Sequence, residues 1–534
     1  MTRSGHAFFV GAGILASRLV GFLRQRTLNH FFGGHSDAAD AFYAAFKIPN
    51  LLQNLFGEGA LSGSFIPVYA RLLADGETNK ANETARAILG ILSLVIGILV
   101  ALGIAVTPLL ISLIAPGFTG EKRELTISLV RIFFPGAGIL VISAWCLGVL
   151  NSHRKFFLSY SAPVIWNLAI IGALLVGMYR SEAQLAMFAA WGSVIGSLAQ
   201  VVIQLPAVIR IMGSTRPRFD RSLPEVRTVI KNFIPTAGVR GVGQISAYID
   251  QIIASLLPTG AITGLTNAQL IYTLPVSLFG MSIAASELPE LSRMTESASH
   301  QIETRLKNGC RQLCFTIIPT IGAFLFLGDI IAGAIYQTGA FSAASVRYVW
   351  YILCGSTIGL LAGTQARLLS SALYALRDPR TPLRYAIVRV TVASVAGFVC
   401  ATSIPSVLGL NPLWGAVGLS GASGCAGWLE YSLLKSHLRR KLGITPHIER
   451  RFLSAVTISA LASGLFCYLT KGWVSEFHPI VAAICILPVF GGIFMCSTLV
   501  MKIPEASSLI RRLRLGRLIA ISSHFISSRR NPKR

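Results

Sequence analysis

The chain has 534 residues, 53% of them apolar and only 13% charged, with 47 Lys and Arg against 22 Asp and Glu for a net charge of +25. So little charge in so long a chain excludes a water-soluble globular protein. The positive excess lies in connections between apolar stretches and not in a patch, which argues against nucleic-acid binding.

Apolar stretches of about 20 residues, enough to cross roughly 30 Å of hydrocarbon, recur about 14 times. In chain order they begin near Ala7, Ala38, Ala87, Leu125, Phe156, Leu185, Val226, Ala261, Gly309, Ala343, Leu383, Pro412, Phe452 and Pro479. The expected fold is an all-α, polytopic membrane protein, because a chain in lipid must satisfy its backbone groups internally and no alternating strand pattern occurs. At roughly 38 residues per crossing no soluble domain fits, so any chemistry belongs to the bundle. The first, second, seventh and eighth crossings are the ones interrupted by charge. With Arg18 breaking its apolar run, the N-terminal segment is expected to be retained and not cleaved.

The connections "SHRK", "RIMGSTRPRFDRSLPEVR", "RDPRTPLR" and "KSHLRRKLGITPHIERR" fall on one side, as does the tail "RRLRLGR". That side carries roughly thirty Lys and Arg against about five on the other, so both termini are expected in the cytoplasm. Longer polar connections near 213–225 and 443–451 divide the crossings into six, six and two. The expected organisation is an N-terminal lobe over 1–220 (helices 1–6) and a C-terminal lobe over 221–443 (helices 7–12). Two additional helices over 444–503 and a basic tail over 504–534 follow. Pro49, Pro67 and Arg71 are echoed by Pro275, Pro289 and Arg293. Two parallel six-helix repeats account for the echo, with a pseudo-twofold axis along the membrane normal.

The second crossing, "DAADAFYAAFKIPNLLQNLFGEGA", holds the candidate site. At about 100° per residue, Asp40, Lys47, Asn54 and Glu58 fall within about 40° of one another, with a kink expected at Pro49. Three charges on one helix cost about 2.5–3.5 kcal/mol each at mid-membrane, so this stripe is expected to face a polar cavity. The first crossing adds Arg18, Arg24 and Arg26 in "ASRLVGFLRQR". Arg18 lies near the depth of Lys47, and one of the arginines is expected to pair with Asp40. Asp37 is expected to cap the helix. In the seventh crossing Arg240, Gln244 and Gln251 share a face, and Asp250, about 80° away, is a candidate for coupling to an ion. Asp329, Arg367, Arg389 and Glu430 are expected to serve in structural pairs. Surplus Arg and Lys suit an anionic ligand, and guanidinium forks suit phosphate oxygens.

Other chemistries find no support. The nine His are scattered without metal spacing, and Cys310 and Cys314 share a helix face but lack a second ligand pair, so no metal or cofactor is expected. Neither clustered carboxylates nor a placed His point to an enzyme.

The stretches "SRLVGFLRQ", "DAFYAAFKIPNLL" and "GEGALSGSFIPVYAR" resemble the opening signature of the MurJ (MviN) family of lipid II flippases, within the multidrug/oligosaccharidyl-lipid/polysaccharide exporter superfamily. "TLPVSLFGMSIAASELPELS" is a second, weaker match. The resemblance implies a V-shaped, two-lobed bundle of 14 helices in the bacterial cytoplasmic (inner) membrane. It implies transport of undecaprenyl-diphosphate-linked disaccharide-pentapeptide to the outer leaflet for peptidoglycan synthesis, by alternating access. Na+ or H+ as coupling ion and the peptidoglycan synthesis machinery as partner would accompany that task. Arg18, Arg24, Asp40, Lys47 and Glu58 match the family's motif residues, whereas Gln53 and Leu270 stand where members often carry Arg. Alternatives are an exporter of another polyprenyl-diphosphate-linked glycan, or an ion-coupled multidrug exporter with an acidic or aromatic cavity.

Overall fold

A computed structural model describes residues 3–511 except 221, 294–298, 444–446 and 475; the side chains of 3–12, 14, 58, 238–243, 299 and 442 are also outside the description. The basic tail expected over 504–534 therefore lies mostly outside the described residues. The described chain is helical, and its one pair of bridged backbone segments is the turn joining Thr338 and Phe341. By contacts the chain forms two compact units. The first comprises Met1–Thr266, Tyr336–Val346 and Ala401–Ala416; the second comprises Asn267–Ile335, Arg347–Cys400 and Val417–Arg534.

In the first unit α1 (Arg3–Phe32) ends where Gly33 takes a left-handed φ of 69°. The second crossing is two helices, α2 (Asp37–Phe56) and α3 (Glu58–Ala74). Pro49 sits inside α2, and the break comes at Gly57, where an added Cβ would collide with the Gln53 carbonyl. Glu58 thus begins a new helix and does not continue α2. The cap is Ser36, not Asp37: its Oγ accepts from Ala39 N at 3.2 Å, and it also bonds Glu182. There follow α4 (Thr78–Ala105), α5 (Thr107–Ile114), α6 (Gly120–Ser152), α7 (Phe156–Val176), α8 (Glu182–Met212) and α9 (Pro224–Ser255). The sequence boundary at 220 assigned α9 to the C-terminal lobe, whereas its contacts with α2 and α3 put it in the first unit.

The second unit is built mainly from α10 (Ala261–Pro275), α11 (Ser282–Ser292), α12 (Ser299–Tyr336), α13 (Ala343–Ala375), α14 (Arg380–Phe398), α15 (Ile404–Val407), α16 (Trp414–Leu442), α17 (Arg450–Thr470) and α18 (Pro479–Val500). The start of α10 belongs to the first unit, as do the ends of α12 and α16 that approach it, the first residues of α13 and all of α15. A π-helical turn over Val276–Met281 joins α10 to α11 in one rod. Helix α17 docks on α12 at Gly322 and Gly464, where an added Cβ would press on the Ala460 backbone and the Phe326 ring. Lys471, just past α17, pairs with Asp329 of α12 at 2.8 Å, and Glu505, beyond the end of α18, pairs with Arg311 of α12 at 2.8 Å.

Among the described residues ten helices are long and apolar enough to cross a membrane: α4, α6, α7, α8, the α10–α11 rod, α12, α13, α14 with α15, α17 and α18. Most of their exposed faces are apolar, as with Leu94, Ile98 and Leu102 on α4, which only lipid would cover without penalty. Four of the expected crossings remain, at α1, α2–α3, α9 and α16. The first three are the charged ones. The eighth crossing, the α10–α11 rod, passes despite its charges, and α16 fails instead because "GLSGASGCAGW" is rich in Gly and Ser. Those small residues serve packing. A Cβ on Gly359 of α13 would fall 2.5 Å from the Cα of Gly424 on α16. Gly424→Val should therefore cost about 1–3 kcal/mol by overpacking, read as a lower thermal midpoint of the detergent-purified protein.

Helices α6 and α13 both have 33 residues. Each ends in an arginine with left-handed backbone, Arg154 at φ 59° and Arg377 at φ 58°. The next amide closes the same turn in both, Lys155 N to Leu150 O and Asp378 N to Leu373 O, each at 2.9 Å. The same closure follows α18, where Lys502 has φ 56° and Ile503 N donates to Thr498 O at 3.0 Å, so it is a common helix stop in this chain and not a mark of repetition.

Candidate functional site

Helices α1 and α2 are fastened by a buried polar relay. Gln25 Nε2 donates to the Tyr43 hydroxyl at 2.7 Å, and that hydroxyl donates to Asn29 Oδ1 at 3.1 Å. Gln25 and Asn29 are four residues apart on one face of α1, so the relay fixes which way Arg24 points.

The Arg24 guanidinium lies over two aromatic rings, 5.1 Å from the centroid of Trp166 on α7 and 5.8 Å from that of Phe46 on α2. The two rings stack on each other at 5.9 Å and 28°. Trp166 is anchored by its Nε1, which donates to the Ser193 carbonyl of α8 at 3.1 Å. Among the described residues Arg24 forms no ion pair, and its buried Nε has no acceptor. Two π faces hold this cation, worth about 2 kcal/mol when desolvated, without cancelling its charge. Trp166→Leu should misplace the guanidinium and weaken binding of a diphosphate probe more than tenfold, whereas Trp166→Phe, which keeps a ring, should retain most of it. Titration of inorganic diphosphate against variants of equal folded yield distinguishes the two.

Lys47 points away from Arg24, toward α9. Its Nζ donates to the Ala247 carbonyl at 2.6 Å and lies 5.9 Å from the Tyr248 ring. Tyr248 in turn donates to the Lys47 carbonyl at 2.9 Å, and Gln251 to that of Ala44 at 3.3 Å. Asp250 is half-buried and within electrostatic reach of Lys47. Phe46 and Lys47, adjacent in sequence, diverge by about 100°. The cations are therefore spread around α2, Arg24 on the α7 side and Lys47 on the α9 side.

Asp40 is placed differently from expectation. It is 2% exposed and accepts four hydrogen bonds: Lys122 Nζ at 3.0 Å, Gly260 N at 2.9 Å, Thr263 N at 2.9 Å and Thr263 Oγ1 at 2.7 Å. Its ion-pair partner is Lys122 at the start of α6, not an arginine of α1. The carboxylate also caps the first turn of α10, where unpaired amides attract an anion. Asp37 shares Lys122 at 2.9 Å and accepts from Thr259 at 2.6 Å. Both acids are consumed in fastening α2, α6 and α10.

Arg18 is exposed on α1 beside Leu15 and Leu19. Arg26 is half-buried on the same helix, as are Asn54 on α2 and Gln244 on α9. The side chains of Glu58 and Arg240 are outside the described residues. Sequence reasoning missed Trp166, Lys122, Gln25 and Asn29. Spacing gave a signal only for Gln25 and Asn29; Trp166 reads as one aromatic among many in an apolar helix, and Lys122 as a charge in an outer connection.

A family model described as lipid II flippase MurJ matches residues 28–487. A Rhizobium tropici protein named probable lipid II flippase MurJ is 32% identical over 472 residues, covering 87% of this chain and 86% of its own length. The lipid II flippase MurJ of Burkholderia cenocepacia is 29% identical over 477 residues, covering 86% of this chain and 89% of its own. Among solved structures, a lipid II flippase MurJ in an inward closed conformation aligns with a TM-score of 0.73 at 22% identity, covering 92% of this chain and 98% of that one. An inward-facing multidrug resistance MATE family transporter of the MOP superfamily aligns at 0.60 with 15% identity, covering 79% and 99%. Those two likenesses are of fold. The match over most of the chain, with relatives of nearly equal length, means that this protein belongs to the MurJ family of lipid II flippases.

Proposed function

We propose that this chain moves lipid II, the undecaprenyl-diphosphate-linked peptidoglycan precursor, from the inner to the outer leaflet of the bacterial inner membrane, and that Arg24 is its main contact with the diphosphate. The observation that carries this reading is the state of Arg24, a guanidinium enclosed by Trp166 and Phe46 with no carboxylate paired to it among the described residues. An unpaired cation at that depth is costly, and a diphosphate oxygen would offset the cost by accepting from its free edge. Arg18, exposed on the same helix, gives the headgroup an earlier contact. Lys47, held by a carbonyl and balanced by nearby Asp250, gives a later one on the α9 side. The diphosphate thus meets cations in succession. In this reading α1, α2–α3, α9 and α16 also cross, giving 14 crossings with both termini in the cytoplasm.

No bond is made or broken: the protein is a transporter, and alternation of access supplies the step. A cationic drug would be repelled by Arg24, which disfavours multidrug export. Complementation tests the assignment. When the resident flippase of a bacterium is depleted, expression of this chain should restore lipid II at the outer leaflet; a well-folded protein that leaves lipid II inside would overturn it.

A further inference from the structure

Helix α13 carries a face that membrane packing does not explain. Two-thirds of its most apolar stretch is buried, 67%, yet between Ala362 and Tyr374 the residues that are not buried are Gly363, Arg367, Ser370, Ser371 and Tyr374. They recur at helical spacing and include no aliphatic side chain. Neighbouring α14 behaves oppositely, exposing Leu383, Ile387, Val388, Val392 and Val395. A face turned to lipid looks like that of α14, so the α13 face is turned to water or to a polar ligand.

Arg367 is exposed on that face and forms no ion pair among the described residues. Beside it, Arg389 of α14 pairs through Nε with Glu430 of α16 at 2.9 Å. Arg367 and Arg389 are both within electrostatic reach of Glu430 and of Tyr272 on α10. The Tyr272 hydroxyl meets the α13 face at Gly363, 3.7 Å from where a Cβ would stand. Two guanidiniums against one carboxylate leave a positive excess. At 1.5 Å per residue Arg367 lies about 12 Å from the end of α13 and Arg389 about 14 Å from the start of α14. Lys441 of α16 holds Asp378 of the intervening turn at 3.1 Å, which sets Glu430 about 16 Å from the same turn. The three charges therefore share one level, about 12–16 Å from the α13–α14 turn.

The geometry points to an oxyanion-binding subsite in the second unit, with Arg367 as the contact, Arg389 oriented beside it by Glu430, and Tyr272 as a further donor. Resting on the reading that the chain carries lipid II, its ligand is a diphosphate or carboxylate oxygen of the lipid-linked headgroup. The pair Arg389–Glu430 is structural, as the sequence suggests, whereas Arg367 is a binding residue.

Binding of lipid II and of undecaprenyl diphosphate to the purified full-length protein tests this. Arg367→Gln should weaken binding about tenfold or more, Arg367→Lys should restore part of it, and both should keep the wild-type thermal midpoint because the side chain is exposed. Loss for both probes assigns the diphosphate, and loss for lipid II alone assigns a peptide carboxylate; either supports the subsite. Wild-type affinity of folded Arg367→Gln for both probes overturns it. A wild-type protein that binds neither probe overturns the transport reading itself, and the subsite with it.

Discussion

Arg24→Ala is expected to abolish delivery of lipid II to the outer leaflet while leaving the folded yield at or above that of the wild type. The two halves of this expectation come from one fact. Arg24 has no carboxylate partner among the described residues, and its Nε lacks an acceptor, so truncation strands no opposite charge and removes a buried, uncompensated one. What is lost is a charge-assisted contact to an anionic ligand, about 2–5 kcal/mol, or a factor of about 30 to several thousand in affinity. Arg24→Lys should recover only part, because an ammonium neither stacks on Trp166 and Phe46 in the same way nor presents a fork. Flipping assayed in proteoliposomes, with thermal unfolding of the same preparations, checks both halves. Loss of fold together with activity would reveal Arg24 as a packing element.

Asp40→Ala should do the reverse, lowering stability by about 3–5 kcal/mol and reducing transport only as far as folded protein is lost. The substitution strands the amides of Gly260 and Thr263 and the Thr263 hydroxyl, and leaves Lys122 Nζ with Asp37 as the remaining one of its two carboxylates. Asp40→Asn keeps an oxygen for the α10 amides but gives up the charge opposite Lys122, so its cost should be intermediate. Thermal midpoints in detergent, set beside flipping per folded molecule, decide the matter. If Asp40→Ala were as stable as the wild type yet inactive, Asp40 would be a ligand contact, as its position on the polar stripe first suggests.

The contrast between these residues shows how far the sequence reaches. Hydropathy and span length are local properties, and they were enough for an all-helical membrane protein. Angular arithmetic along one helix held as far as the helix did. It failed at Gly57, because a helix break depends on whether the next residue's Cβ clears the Gln53 carbonyl. Arg367 was legible as an intramembrane charge, but its exposure on an otherwise polar face of α13 was not.

Unaided, the sequence determined that the chain is a bundle of apolar helices suited to a membrane and which charges those helices carry, since both follow from transfer free energies summed over neighbouring residues. Only the tertiary structure decided which of those charges are neutralised. Asp40 finds Lys122 and the start of α10, while Arg24 finds aromatic faces on α2 and α7. Partners so far apart in sequence are chosen by how helices pack against one another, and a charge left unpaired by that packing is the one available to a ligand.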